Sequence, residues 1–77
     1  MRVDERMLID MQIQGSDVIL AFSPAWHPRR YPETLEFERY GRWQVLEVLR
    51  AGTDVLGVQL RVRVHDDKDQ ENHASSG

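Results

Sequence analysis

A chain of 77 residues has room for one domain, and 40% apolar with 30% charged residues marks it as globular, excluding a wholly disordered chain and a membrane-spanning one. The absence of cysteine excludes disulfides, thiolate catalysis and cysteine-held zinc, and it favours a reducing compartment. With no apolar stretch behind the charged N-terminus to form a secretory signal, a cytoplasmic location is expected.

The net charge of −3 is unevenly spread. Residues 1–25 hold two Arg against four acids, residues 26–63 seven Arg against five acids, and residues 64–77 one Lys against four acids. The middle of the chain is therefore mildly basic, and the end is acidic. Every cation before residue 68 is Arg, the side chain suited to carboxylates, phosphates and aromatic faces.

In chain order, Met7, Ile9, Met11 and Ile13 alternate with Asp10, Gln12 and Gln14, a period of two that predicts a half-buried strand. Gly15-Ser16-Asp17 signals a turn, and residues 18–22 read as a central strand, apolar on both faces. Three prolines within residues 23–32 exclude regular structure and predict a long loop. Residues 34–39 alternate again with Leu35 and Phe37 inward, and Tyr40-Gly41 is the next turn. Trp43, Leu46 and Leu49 stand at helical spacing, but β-branched and aromatic residues between two glycines favour a bulged strand over a short helix for residues 43–50. After a turn at residues 51–54, residues 55–65 predict the last strand, with Leu56, Val58, Leu60, Val62 and Val64 inward and Arg61 and Arg63 outward. Residues 66–77 carry one apolar side chain, an alanine, and are expected to be a disordered acidic tail.

These elements predict an all-β fold: a five-stranded antiparallel meander curled into a small SH3-like barrel over residues 1–65. An open sheet that dimerises is the competing arrangement. Below roughly 70–80 residues a single core leaves little margin, so a protein partner or a homodimer is expected.

Two residue sets suggest function. The proline-rich loop gathers Trp26, His27, Arg29, Arg30 and Tyr31, residue types favoured as anchors of protein interfaces. The bland alternative is that an aromatic of the loop folds back over the core while the arginines stay solvated. The second set, Arg39, Arg42, Arg61 and Arg63, would make a basic sheet face able to meet nucleic acid. Glu36, Glu38 and Glu47 alternate on neighbouring segments, however, and are placed to pair with those arginines. No metal or cofactor motif and no catalytic constellation is readable.

Residues 32–49, with Gly41-Arg42-Trp43 and Val45-Leu46 through Val48-Leu49, followed by Leu60-Arg61-Val62-Arg63-Val64, resemble a small bacterial domain of unknown function. That domain occurs alone or appended to accessory proteins of error-prone DNA polymerases. The resemblance covers about half the chain. It departs at Ala51-Gly52-Thr53, where the family usually has a tryptophan. It implies a small β-domain and a lean towards DNA metabolism. The expected function is a non-enzymatic protein-binding or adaptor module, with a weak nucleic-acid-binding accessory domain as the alternative.

Overall fold

The computed structural model describes residues 1–65, so the expected acidic tail lies outside the described residues. Five antiparallel strands carry the fold: β1 (Leu8–Gln14), β2 (Asp17–Phe22), β3 (Thr34–Phe37), β4 (Gly41–Arg50) and β5 (Gln59–Val64), preceded by one 3₁₀ turn at Glu5–Met7. β1 and β2 form a hairpin around Gly15-Ser16, in which Gly15 takes a φ of 60°. A two-residue hairpin turn with a positive φ at its first central position favours glycine there. Asp17, expected in the turn, instead opens β2 opposite Gln14.

The strand order is β1-β2-β5-β4-β3. The expected single meander is thus split into a β1–β2 hairpin and a β3–β4–β5 meander, joined where β2 pairs with β5. The cause is the proline-rich loop. It carries the chain from β2 to the far edge of the sheet, three ladder steps of about 4.8 Å each, instead of to the neighbouring position.

One face of the sheet forms the core, with Val18, Leu20 and Phe22 of β2 against Leu60 and Val62 of β5, and Leu35, Phe37 and Trp43 from the β3–β4 side. The curl of the sheet brings the Phe22 and Phe37 rings to 6.5 Å although β2 and β3 are not neighbours. Ile19 is buried apart from that cluster, on the opposite face, where it stands across from Arg61 and Gln12.

The expected closed barrel does not form, because β1 and β3 do not pair. The outer edge of β3 is instead occupied by residues 1–3. The Met1 amino group donates to Thr34 O at 3.0 Å, Glu36 N donates to Met1 O at 2.8 Å, and Val3 N donates to Glu36 O at 2.9 Å. From there the chain crosses to the other edge and begins β1.

Residues 43–50 are a strand, as the β-branched residues indicated, with register shifts between Val45 and Glu47 and between Val48 and Arg50. Leu46 and Leu49 are the inserted residues. The three-residue spacing from Trp43 therefore records bulges and not a helical turn. Two expectations are corrected. In β1 a further register shift between Leu8 and Asp10 breaks the strict alternation, so Leu8 pairs opposite Phe22 and Ile9 is left 64% exposed, while Ile13, in register opposite Val18, is 79% exposed near the hairpin end of this edge strand. In the last strand, pairing begins only at Gln59. Residues 53–56 turn on Thr53, whose Oγ1 accepts from Leu56 N at 2.9 Å and Val55 N at 3.2 Å, and Leu56 is exposed instead of inward.

Gly57, between that turn and β5, is a position that only glycine can fill. A Cβ at this position would lie 1.7 Å from Phe22 O, because the main chains of residue 57 and β2 pass at closest approach there. Only glycine fits against a backbone atom that cannot move aside. Gly57→Ala is therefore expected to destabilise the domain by about 3 kcal/mol, the upper end of the overpacking range, measured as a fall in the urea midpoint with an unchanged slope.

At the start of the chain, Asp4 caps the 3₁₀ turn. Its Oδ1 accepts from Arg6 N at 2.9 Å, and Arg6 Nη2 donates to Oδ2 at 2.8 Å. The Arg6 side chain, and then the Arg6 amide, hold the Asp4 carboxyl below its ordinary 3.8. A depressed carboxyl pKa stabilises the folded form above the ordinary value, and that contribution is lost as pH falls through the lowered one. In an NMR pH titration, Arg6→Ala should move the Asp4 midpoint up towards 3.8; an unmoved midpoint would show that the contact does not set it.

Candidate functional site

The proline-rich loop leaves β2 through a tight turn, with Ser23 Oγ accepting from Ala25 N at 3.1 Å and Ser23 O accepting from Trp26 N at 3.0 Å. That turn folds Trp26 back onto the core. Its ring stacks on Phe22 with centroids 4.2 Å apart and planes 26° from parallel. Trp26 is half-buried and packs with the core cluster, whereas His27, Arg29, Arg30 and Tyr31 are exposed. Arg29 and Arg30 make no ion pair among the described residues. The loop set expected from the sequence is thus divided: the tryptophan closes the core, and four polar or amphipathic side chains face outward.

The second expected set is not a free basic face. Arg42 lies opposite Glu36 on the β3–β4 ladder, with Nη2 3.5 Å from Oε1. Arg61 lies opposite Glu47 on the β4–β5 ladder at 3.3 Å. Arg63 donates through Nε and Nη2 to Asp17 Oδ1 at 3.0 and 2.8 Å. Arg39 faces Glu5, with Nε 3.8 Å from Oε2, and its amide N–H also donates to Oε1. Each arginine of the set stands beside a carboxylate. Exposed pairs of this kind add roughly 0–1 kcal/mol to stability, but they remove the surplus positive potential that a polyanion needs.

A third feature lies outside both expected residue sets. Where β2 and β4 end and β5 begins, Leu46, Val48 and Leu49 of β4 and Val55 and Leu56 of the following turn are all exposed, Val55 at 80% and Leu56 at 50%. β3 pairs with β4 only up to Gln44. Val45 N then donates to Glu33 O at 2.8 Å, which brings the end of the proline-rich loop alongside β4 where its free edge begins. The exposed part of the loop and the apolar end of β4 therefore share one end of the sheet. Arg50 fixes the turn that carries Val55 and Leu56, its Nε donating to Gly57 O at 3.1 Å. The one sequence signal for this feature was the three-residue spacing of Leu46 and Leu49, which marks inserted residues that the ladder cannot turn inward.

No family model, curated protein or solved structure matches the chain. Among the described residues no helix is long and apolar enough to cross a membrane.

The stacking of Trp26 on Phe22 gives a direct test of which loop residues serve the fold. Trp26→Ala is expected to cost about 2 kcal/mol, below the range for fully buried aromatics because the ring is half-exposed. Tyr31→Ala should cost less than about 0.5 kcal/mol. Equal losses in thermal melts of the two variants would show that the tyrosine packs as firmly as the tryptophan.

Proposed function

We propose that this domain is a non-enzymatic protein-binding module whose docking surface is the end of the sheet formed by the proline-rich loop and the far end of β4. The observation that carries the reading is the exposure of Leu46, Val48, Leu49, Val55 and Leu56 together at that end. A small domain that leaves several large apolar side chains exposed at one end of its sheet has a reason to do so. Tyr31, Arg29 and Arg30 border the same end, and Tyr and Arg are residue types enriched at interface anchors. Two arginines that make no ion pair among the described residues suit a partner that surrounds its own apolar side chains with carboxylates.

The alternative, a weak nucleic-acid-binding accessory role, draws support from the sequence resemblance and from Arg29 and Arg30. The ion pairs of Arg39, Arg42, Arg61 and Arg63 count against it.

The test compares the wild-type chain with Val55→Asp/Leu56→Asp and Arg29→Ala/Arg30→Ala variants as affinity baits, alongside a DNA titration at low salt. The expected outcome is a protein captured by the wild type and lost with Val55→Asp/Leu56→Asp, with circular dichroism unchanged. DNA binding that falls steeply with salt and disappears in Arg29→Ala/Arg30→Ala would favour the alternative instead.

A further inference from the structure

We propose that the regular half of the β1 edge, residues 10–14, pairs with the same segment of a second copy of this chain about a two-fold axis at Gln12. This surface lies at the opposite end of the sheet from the docking surface proposed above and does not depend on it.

The first support is the direction of the main chain. In a two-residue hairpin the residues flanking the turn, here Gln14 and Asp17, form the mutually hydrogen-bonded pair. Alternate residues then face opposite ways, so Gln12 also turns its N–H and C=O to β2, while those of Met11 and Ile13 point to the free edge. No strand covers that edge among the described residues. The second support is the extent of the clear edge. Beyond the register shift at Ile9 the ladder runs unbroken from Asp10 to Gln14, and Tyr40, in a shallow depression with Leu8–Met11, borders only its first two residues.

The third support is chemical self-complementarity. A two-fold at Gln12 sets Met11 opposite Ile13 of the second copy, twice, through four main-chain hydrogen bonds. These four side chains lie on the core side of the sheet, beside Leu20 and Val18, and the pairing covers Ile13, the most exposed apolar side chain of β1. On the other side Gln12 meets Gln12, and Asp10 meets Gln14. The only charge in β1 therefore never faces its own kind. Antiparallel pairing with the axis normal to the sheet requires an even register, and a centre at Met11 would bring the irregular Ile9 into the ladder. The occupant that this edge fits is a second copy.

A ladder of five residues is small by the standard of stable interfaces, so the dimer should be transient and dependent on concentration. Because the chain has no cysteine, a single introduced thiol reports this contact alone. Gln12 would form the close, non-hydrogen-bonded pair, whose Cα separation suits a disulfide. Gln12→Cys is expected to give a disulfide-linked dimer under mild oxidation, and Ser16→Cys at the hairpin tip is expected to stay monomeric. Wild-type mass in sedimentation should double as concentration rises, and Ile13→Pro should abolish that doubling. Proline is tolerated at this edge because the N–H it removes is not used by β2. A Gln12→Cys chain that cross-links no better than Ser16→Cys, or a wild type monomeric at all concentrations, would overturn the proposal. Either result would leave capture of a different protein by the wild-type bait unaffected.

Discussion

The fold depends on one ring. Phe22 is fully buried at the end of β2, sandwiched by the stacked Trp26 ring at 4.2 Å and the Phe37 ring at 6.5 Å, with the main chain at Gly57 passing against its carbonyl. A five-stranded sheet of this length could stay flat and wet on both faces. The contact between Phe22 and Phe37, from strands that are not neighbours, requires it to curl. The curl makes an interior large enough to bury Leu20, Leu35, Leu60 and Val62 without a second layer. Small domains reach adequate burial only by such folding over, since their surface is large for their volume.

The same packing arranges the outer surface. Because Trp26 must reach Phe22, the loop turns sharply at Ser23 and its remaining side chains are carried outward towards the free end of β4. Because residues 53–56 turn on Thr53 before Gly57 packs against β2, the chain between β4 and β5 presents Val55 and Leu56 to solvent. The apolar exposure at that end thus adjoins the core, and the proposed docking surface has a rigid base in the Phe22 packing.

The all-β character was legible: β1, β3 and β5 as a period of two, with the inward set Leu35, Phe37, Val58, Leu60 and Val62, β2 as an apolar run and β4 from its β-branched and aromatic residues. Two of the arginine–glutamate pairs were legible too, Arg42 with Glu36 and Arg61 with Glu47, whereas Arg39 and Arg63 meet Glu5 and Asp17, which the alternation of the glutamates did not indicate. What was not legible shares a cause. Leu46, Leu49 and Ile9 sit at bulges, where one extra residue shifts the parity of everything beyond it, and a count of alternation cannot detect a single insertion. Leu56 continues the alternating pattern perfectly, yet it is exposed because it belongs to the turn that Thr53 holds ahead of the strand. The strand order was hidden for a similar reason. Nothing in the loop composition states how far across the sheet it will carry the chain.

The three free strand edges are managed differently, and the difference is informative. An unpaired edge is a template for further pairing unless something blunts it. The outer edge of β3 is filled by residues 1–3. The free half of β4 carries two bulges that break the regular spacing of its hydrogen-bonding groups. β1 is bulged only at its start, beside Tyr40, and beyond that point it runs as an unbroken ladder to the hairpin. Two edges thus have devices that discourage pairing, and the third has them only where a neighbouring turn already stands. An edge left regular and apolar over that short reach, with its single charge facing an amide in the two-fold register, is shaped for a contact that forms and releases and not for aggregation.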